Sequence, residues 1–424
     1  MADVAVIGAG VAGIQAALDL ANHGLHVYLI EREPTIGGHM AQLDKTFPTN
    51  DCSMCILSPK MLEVSRHPNV TLLTCTEVAS VSGEVGNFSL TLIRHPRYVD
   101  ENLCNGCGDC VEICPVEVYN RFDAGIGVRK AIYKPHPQAV PDIVIKDNDH
   151  CIECGLCYDV CGLDAVLRED AGRTIDITVA SIVVATGYAT FDARNKVPMR
   201  YLDVPDVITS LEFERMINAS GPTGGQIRRL STGQRPRSMA FVQCVGSRDI
   251  ALGRPYCSGV CCMYAMKNAM LIREKYPETE VIVFYNDIRA YGKGYEEYFE
   301  RAKAMGVRFV KGFPGEVLDN GDSLMMQVED CETGVVERFY PELVVLSVGL
   351  EPARGADAVA DMLGIPHDEN GFFSAADEKL GPVLTIRPGI YVAGAAAAPR
   401  DIPDSVAMAG AAAMRAYIDA LRAE

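Results

Sequence analysis

Eight of the sixteen cysteines fall into two runs that share one spacing. The runs are Cys104-x-x-Cys107-x-x-Cys110-x-x-x-Cys114-Pro115 and Cys151-x-x-Cys154-x-x-Cys157-x-x-x-Cys161-Gly162. Paired runs of this kind bind two [4Fe-4S] clusters, because three thiolates of one run hold one cluster while the fourth thiolate crosses to the other. The spacing therefore predicts one cluster on Cys104, Cys107, Cys110 and Cys161. It predicts the second cluster on Cys151, Cys154, Cys157 and Cys114.

Zinc is the alternative to these clusters. It is weaker, because four thiols at this spacing exceed what a tetrahedral zinc site takes from one run. Gly162 stands where proline usually ends such a run, which loosens the turn but removes no thiolate. We expect residues 103–165 to form a small bacterial 2[4Fe-4S] ferredoxin-like domain.

A glycine-rich loop near the start of the chain predicts a dinucleotide site. Gly8-x-Gly10-x-x-Gly13 follows an apolar run and precedes a segment of helical period, and Glu31 ends the next apolar run. Glycines at these positions allow the backbone to approach a pyrophosphate, which the helix N-terminus favours electrostatically. A carboxylate at Glu31 can accept hydrogen bonds from ribose hydroxyls. A glycine turn without a ligand is the alternative.

Two later segments resemble the split FAD domain of thioredoxin-reductase-type flavoproteins. They are Ala185-Thr186-Gly187 and Tyr391-Val392-Ala393-Gly394. The resemblance implies FAD rather than NAD, with Thr186, Gly187 and Gly394 at the cofactor.

The segment that follows Gly394 departs from that family. An acid usually comes next and holds the ribityl chain, whereas this sequence has Ala395, with Asp401 and Asp404 further on. We expect a helix to start near residues 403–406. Its amides, including that of Val406, would face the flavin pyrimidine, where reduction places negative charge.

A further group of cysteines lies in a second strand, helix, strand unit. At the point where a nicotinamide-binding unit would carry its own glycine loop, the sequence reads Cys244-Val245-Gly246-Ser247-Arg248. Three more thiols follow at Cys257, Cys261 and Cys262, the last two at the head of a predicted helix. A metal cluster and buried cysteines that pack as small apolar side chains are both consistent with this spacing.

Together these motifs resemble the HdrA family of heterodisulfide reductase subunits over nearly the whole chain. Besides the cysteine groups, the resemblance rests on Gly37-Gly38-His39-Met40-Ala41-Gln42-Leu43 and Asp51-Cys52-Ser53-Met54-Cys55. It implies FAD contacts from Gly38, His39 and Met40. It implies a third [4Fe-4S] cluster beside the flavin, held by Cys244, Cys257, Cys261 and Cys262.

The resemblance also implies that Lys267 lies close to the flavin ring, where its charge would stabilise a reduced, anionic flavin. A solvated helix lysine is the alternative. The methanogen form of the HdrA protein has an extra N-terminal cluster domain and a C-terminal ferredoxin domain, and neither is found in this sequence. We therefore expect a short form, similar to those in quinone-interacting oxidoreductases, sulfur-oxidising assemblies and tungsten-containing benzoyl-CoA reductase complexes.

The remaining cysteines are less informative. Cys52 and Cys55 lie close to the predicted flavin loop, as a redox disulfide, as part of a cluster shared with another chain, or as two structural thiols. Cys75 and Cys331 each sit in a strand-like run, which favours core packing.

Composition narrows the classes of function. A net charge of −17 argues against nucleic-acid binding, and the apolar runs are too short to cross a membrane. The first residues lack the pattern of a secretory signal, so we expect a cytoplasmic protein with reduced thiols.

The predicted fold class is α/β: a thioredoxin-reductase-like flavoprotein with two dinucleotide-binding units and the inserted ferredoxin-like domain. The expected boundaries give FAD-binding parts at 1–102, 166–237 and 351–424, the insertion at 103–165, and a Rossmann-like unit with the atypical cluster at 238–350.

These features favour an electron-transfer subunit with FAD and three [4Fe-4S] clusters, and the resemblance adds electron bifurcation as an activity to be tested. The alternatives are a self-contained NAD(P)H-dependent disulfide reductase using Cys52 and Cys55, which the missing second glycine loop disfavours, and a structural subunit with vestigial cofactors. The expected partners are other heterodisulfide-reductase-like subunits and hydrogenase-delta-like or ferredoxin-type electron carriers, in a hetero-oligomer that could include a second copy of the chain.

Overall fold

A computed structural model describes residues 2–423. Its helices, in chain order, are α1 (Val11–Asn22), α2 (Ser53–Arg66), α3 (Asp109–Ile113), α4 (Leu156–Val160), α5 (Ser210–Ile217), α6 (Cys261–Lys275), α7 (Tyr295–Ala304), α8 (Ala356–Leu363) and α9 (Ile402–Arg422).

The strands in the first half of the chain are β1 (Val4–Ile7), β2 (Val27–Ile30), β3 (Lys45–Thr46), β4 (Asp51–Cys52), β5 (Val70–Leu73), β6 (Thr76–Glu84), β7 (Asn87–Arg94), β8 (Glu117–Tyr119), β9 (Val128–Lys130), β10 (Ile132–Tyr133), β11 (Ile145–Lys146), β12 (Arg173–Val179), β13 (Ser181–Val184), β14 (Tyr188–Thr190) and β15 (Val207–Thr209). Those in the second half are β16 (Ser238–Val245), β17 (Glu280–Tyr285), β18 (Arg308–Lys311), β19 (Val317–Asp319), β20 (Leu324–Asp330), β21 (Val335–Phe339), β22 (Leu343–Val348), β23 (Leu350–Pro352) and β24 (Ile390–Val392).

The chain folds into two compact units. The first unit runs to Ala41, continues over Met54–Tyr188 and resumes at Pro352. The second unit comprises Gln42–Ser53 and Ala189–Glu351.

A five-stranded parallel sheet in the order β24-β13-β1-β2-β5 forms the centre of the first unit. Its middle strand, β1, is completely buried and apolar, as expected for a parallel strand covered on both faces. Helices α1 and α9 pack together through small residues such as Ala16 and Ala412 on one face. On the other face, Phe88 and Leu90 of the antiparallel sheet β12-β7-β6 join Ile7 and Ile182 in a second apolar cluster.

The ferredoxin-like insertion lies between two strands that are neighbours in space. It leaves β7 and returns at β12, and these strands pair antiparallel from Arg94 with Arg173 onward. A bridge between Val99 and Val166 continues the pairing into the insertion. The insertion therefore occupies the position of a hairpin loop, where added chain leaves the parent sheet intact.

The second unit repeats the α/β plan with a parallel sheet in the order β15-β22-β16-β17-β18 and a separate antiparallel sheet β19-β20-β21. Residues 189–237, which the sequence assigned to the FAD-binding part, lie in this unit. They do so because β15 pairs with β22 and because Phe213 of α5 packs edge-to-face on Phe241.

The α/β prediction is confirmed by the two parallel sheets. The core-packing prediction is wrong for Cys331, which is exposed in the turn after β20, while Cys75 is buried between β5 and β6. Among residues 2–423, no helix combines the length and the apolar character that a bilayer crossing requires.

Candidate functional site

The glycine loop joins β1 to α1 as the sequence predicts. Gly8 has a φ of +97°, and a Cβ on it would lie 2.4 Å from the carbonyl oxygen of Ala185. A Cβ on Gly13 would lie 1.8 Å from the carbonyl oxygen of Gly8, so helix and strand can approach only without a side chain there. A Cβ on Gly10 would meet nothing within 4 Å. The loop therefore presents bare backbone to open space at Gly10, as a pyrophosphate cradle requires.

Glu31 is positioned by this loop. It follows β2, is 9% exposed, and accepts hydrogen bonds from the amides of Ala9 (2.8 Å) and Glu33 (2.9 Å). Burial raises the pKa of its carboxyl group, while these two amides act in the opposite direction. Each carboxylate oxygen retains a second lone pair, so Glu31 can brace the loop and still accept a ribose hydroxyl.

Thr186 and Gly187 follow β13, beside the glycine loop in the central sheet. The Thr186 hydroxyl oxygen is buried and has no hydrogen-bond partner in the described chain, as expected for a group that a ligand would satisfy. Gly394 has a φ of +65°, and a Cβ on it would lie 2.9 Å from the Cβ of Ala12. These residues fit a dinucleotide whose phosphates approach the start of α1.

Helix α9 begins at Ile402, close to the expected start. The Asp401 side chain caps it by accepting a hydrogen bond from the amide of Asp404 at 2.9 Å. Val406 is the fifth residue of the helix, so its amide belongs to the intrahelical hydrogen bonds, and the free N-terminal amides come from the residues before it. This sequence has Ala395 where the flavoprotein family has an acid, and Asp401, further along the chain, serves as the N-cap of α9.

Gly38, His39 and Met40 form a short 3-10 turn in the first unit. A Cβ on Gly38 would lie 3.1 Å from the Cα of Gly10, so this turn packs on the glycine loop. The His39 ring stacks on Tyr188 with the ring centroids 4.5 Å apart. All the residues predicted to bind FAD therefore belong to one unit.

The two cysteine runs form two groups, and the groups cross as the spacing predicts. The charges acting on Cys110 come from Cys104, Cys107 and Cys161, and together with burial, the larger effect, they raise its pKa to about 12. In the other group, one small cavity is lined by Cys114, Cys151, Cys154 and Cys157.

The structure thus brings the last cysteine of each run to the other run. Helices α3 and α4, which contain Cys110 and Cys157, pack against each other. Within the described residues, no three Cys, His, Asp or Glu side chains have the spacing of a site for a single metal ion. In a [4Fe-4S] cluster each thiolate binds a different iron atom, so its ligands stand further apart than those of one ion.

The insertion is anchored by a carboxylate that the sequence analysis did not identify. Asp170 accepts hydrogen bonds from the amides of Arg97 (2.7 Å), Tyr98 (2.9 Å) and Gly172 (2.9 Å). The Arg97 side chain is 2% exposed and donates to the Thr74 hydroxyl and to the Pro34 carbonyl. These contacts fix the insertion to the unit that contains the glycine loop.

Sequence reasoning also missed Lys146, a buried lysine that lines the cavity of the second cysteine group. Burial opposes its positive charge, but the Tyr158 hydroxyl and the neighbouring thiols Cys151 and Cys157 favour it, and the pKa of Lys146 is raised. The sequence signal is that Val99 stands at the matching position before the first run, but only the strand pairing shows that the two positions are equivalent.

The third group of cysteines gathers in the second unit. Cys244 near the end of β16 is buried, as are Cys261 and Cys262, the first two residues of α6, and Cys257 is partly buried. Burial, followed by the charge of Cys262, raises the pKa of Cys244 to about 11. A hydrogen bond from Cys261 lowers the pKa of Cys262 to about 7. The charge of Cys257 also acts on Cys244 and on Cys261, so the four thiols form one group.

Lys267 lies on α6 and is 1% exposed, so it is not a solvated helix lysine. Its Nζ forms an ion pair with Glu214 and donates to the carbonyl oxygen of Lys45 at 3.0 Å. Glu214 also accepts from the amide of Asp44 at 3.0 Å. This buried pair holds the ammonium group in one place.

Cys52 and Cys55, three positions apart, are joined by a disulfide. The place of the missing glycine loop is closed in the second unit, since Gly246 packs on Phe191, where an added Cβ would lie 2.0 Å from the ring.

Comparison with known proteins agrees with these sites. Residues 3–51 match a family described as FAD dependent oxidoreductase, and residues 103–166 match the 4Fe-4S dicluster domain. Among solved structures, thioredoxin reductases from Lactococcus lactis and T. acidophilum both give a TM-score of 0.54, at 15% and 13% identity, with 99–100% of each chain covered. They confirm the predicted thioredoxin-reductase-like fold.

Curated relatives are much closer in sequence. An iron-sulfur subunit of the CoB--CoM heterodisulfide reductase of Methanopyrus kandleri is 55% identical over 97% of this chain and 63% of its own length. The corresponding subunit of the H(2):CoB-CoM heterodisulfide,ferredoxin reductase of Methanothermobacter marburgensis is 51% identical over 99% of this chain and 64% of its own length. The chain thus spans somewhat less than two thirds of these relatives, and it belongs to the HdrA family of heterodisulfide reductase subunits.

Proposed function

We propose that this chain is the FAD- and iron-sulfur-containing electron-transfer subunit of a heterodisulfide-reductase-like oxidoreductase complex. The flavin would exchange electrons in pairs or singly, and each cluster would exchange one at a time. The chain would then connect a two-electron reaction to one-electron carriers.

The crossed arrangement of the two cysteine runs is the observation that carries this proposal. Cys114 lines the cavity of the second run, and Cys161 acts on Cys110 of the first. Buried cysteines that served only as apolar side chains would have no reason to exchange partners between runs. In two-cluster ferredoxins the fourth cysteine of each run makes that exchange.

The chain's own residues would hold FAD in the first unit. The amides at the start of α1 would face the pyrophosphate, Glu31 would accept from the ribose, and the Thr186 hydroxyl would gain the partner that it lacks. The site would be completed by Gly38, His39, Met40, Gly187, Gly394 and Val406, the last of them near the start of α9.

A third cluster would be held by Cys244, Cys257, Cys261 and Cys262. By analogy with the family, Lys267 would be the lysine beside the flavin ring, and its ion pair with Glu214 would hold the ammonium group in one place. Because Glu214 partly neutralises Lys267, the pair would stabilise added negative charge less strongly than a lone cation but in a defined position.

The relatives differ in what their names state. Some are named as subunits of CoB-CoM heterodisulfide reductases that also use ferredoxin, F(420)H(2) or formate. We propose by analogy that this chain works in a hetero-oligomer, with other heterodisulfide-reductase-like subunits and hydrogenase-delta-like or ferredoxin-type carriers as its partners.

A self-contained NAD(P)H-dependent disulfide reductase using Cys52 and Cys55 is not favoured. The place of its nicotinamide loop is taken by Cys244 and by Gly246, which packs on Phe191. The relatives at about half identity carry names of complex subunits rather than of such a reductase.

Metal and flavin analysis of anaerobically purified protein tests the proposal. We expect one FAD and about twelve irons per chain, with about twelve acid-labile sulfides. Cys110→Ser should remove about four irons and abolish electron transfer to partner subunits while FAD remains bound. A colourless, flavin-free preparation with far fewer irons would contradict it, and steady-state NADH oxidation by the isolated chain would favour the reductase instead.

A further inference from the structure

One lysine of the insertion is buried beside the second cysteine group. Lys146, at the end of β11, is 4% exposed. Its Nζ donates to the Tyr158 hydroxyl over 2.9 Å and lies 5.2 Å from the centre of the Tyr98 ring. It lines the same cavity as Cys114, Cys151, Cys154 and Cys157.

The first cysteine group has no lysine at the corresponding position. Lys146 precedes Cys151 by five positions, and Val99 precedes Cys104 by five positions. The two sites are equivalent in the fold, because Val99 pairs with Val166 after the second run and Lys146 pairs with Ile132 after the first. Val99 is equally buried, at 3% exposure.

The partner of Lys146 is also present on one side only. Tyr158 directly follows Cys157, whereas Val111 directly follows Cys110. A hydroxyl-bonded ammonium group therefore faces one cysteine group, and two valines occupy the matching places at the other. The asymmetry lies in side chains alone and not in the backbone pairing.

We propose that Lys146 gives the cluster on Cys114, Cys151, Cys154 and Cys157 the higher reduction potential of the two in the insertion. This inference rests on the proposed function, since it requires the clusters. Reduction adds one negative charge to a cluster, and a nearby cation stabilises the reduced form more than the oxidised form. Because Lys146 is shielded from solvent, salt screens its charge much less than that of an exposed lysine.

The consequence is a direction for electron movement within the insertion. If both clusters are bound, exchange of one electron between them would favour oxidation of the cluster held by Cys104, Cys107, Cys110 and Cys161 and reduction of the cluster beside Lys146, with no other reactant. Tyr158 acts as the positioning residue, because its hydroxyl fixes the ammonium group toward the cavity.

An EPR-monitored redox titration of the full chain, loaded with its clusters, tests this proposal. Lys146→Met keeps an unbranched side chain, one atom shorter, and removes the charge. We expect the midpoint potential of one cluster signal to fall in this variant. The fall should correspond to at least a tenfold change in the equilibrium constant for reduction of that cluster, which is about 59 mV for one electron. The other signals should stay in place, and Lys146→Arg, the charge-conserving control, should shift none of them by that amount.

The outcomes separate this proposal from the function on which it rests. Unshifted signals in Lys146→Met protein with full iron content would overturn the role of Lys146 and leave the proposed function intact. Wild-type protein that binds no clusters would overturn the proposed function itself. If Lys146→Met lost about four irons, Lys146→Gln would be titrated instead, since its amide keeps a hydrogen bond to Tyr158. Iron loss in both neutral variants but not in Lys146→Arg would also contradict the proposal, because Lys146 would then serve cluster assembly.

Discussion

The two cysteine runs of the insertion have the same backbone design and different surroundings. A left-handed glycine precedes the short helix in each, Gly108 before α3 and Gly155 before α4. The side chains around the runs differ, since a valine on one side corresponds to buried Lys146 on the other. The comparison indicates that spacing and backbone decide which thiols meet. On the inference above, neighbouring side chains would set the reduction potential of each cluster.

The largest expected effect comes from breaking the exchange between the runs. Cys161→Ser should remove the cluster whose other three ligands are in the first run, and Cys114→Ser should remove the cluster of the second run. Each variant should lose about four irons, and a different EPR signal should disappear in each. Iron analysis together with EPR of the reduced protein gives the answer.

The matched control for this exchange is Cys331→Ser. Cys331 is exposed and lies in the second unit, so its loss should leave both the iron content and the spectra unchanged. If Cys161→Ser removed the same signal as a substitution of Cys154, each run would hold its own cluster and the crossed arrangement would be wrong.

The sequence was sufficient for the crossed cysteines because ligand spacing is local and strongly constrained. The glycine loop and Glu31 were predictable for the same reason. Lys146 and Tyr158 were not, since their significance depends on which strands pair across the insertion. The Glu214 partner of Lys267 lies 53 positions away and was equally inaccessible.

Boundaries were the other weak point of the sequence analysis. The segment 189–237 contains the strand β15, whose partner β22 lies more than a hundred positions later. Only that pairing assigns the segment to the second unit. Cys331 was wrongly assigned to the core because it directly follows β20, and the sequence alone did not show that the turn to β21 begins there.

A second way to test the comparison is to add a methyl group to one glycine of the first run. Gly106 has a φ of +70°, and a Cβ would lie 2.5 Å from the carbonyl oxygen of Asp142. Gly106→Ala should lower the free energy of unfolding by about 3 kcal/mol, from backbone strain plus overpacking. Chemical denaturation followed by circular dichroism measures the change.

Gly108→Ala is the control for that substitution. Gly108 also has a positive φ, of +94°, but a Cβ there would meet nothing within 4 Å. Its cost should be only the strain of the left-handed conformation, about 1–2 kcal/mol. If the two substitutions lowered the free energy of unfolding equally, the close approach of the added methyl group to Asp142 would contribute nothing to the cost at Gly106.

The third prediction concerns the anchor that both runs share. Burial tends to raise the pKa of Asp170, but the amides of Gly172, Tyr98 and Arg97 outweigh it, so that the pKa lies below its ordinary value. A carboxyl group with a lowered pKa stabilises the fold above its unfolded pKa, and this contribution disappears as pH falls through the folded pKa. Asp170→Asn should therefore cost about 1–2 kcal/mol at pH 7, and the gap from wild type should narrow below about pH 4.

Denaturation of both proteins across this pH range measures that gap, with Asp176→Asn as the control. Asp176 is exposed and bonds only the Thr91 hydroxyl among the described contacts, so its substitution should have little effect. Because Asp170 supports both runs, Asp170→Asn should leave the two cluster potentials in their original order. A selective shift of one signal would mean that the anchor favours one run.

The smallest expected effect lies at the position of the second run that matches Gly106. Glu153 occupies it with a φ of +55°, a conformation that costs an ordinary side chain about 1–2 kcal/mol. Glu153→Gly removes that strain but raises the entropy of the unfolded chain, which costs roughly 0.5–1 kcal/mol. The net result should be a stabilisation of about 0.5 kcal/mol, measured by denaturation against Glu112→Gly, which replaces a helical residue of α3 and should destabilise by about 1 kcal/mol. If Glu153→Gly lowered the free energy of unfolding, the Glu153 side chain would be stabilising the left-handed turn of the second run. The two runs would then differ in what holds their backbone as well as in their surroundings.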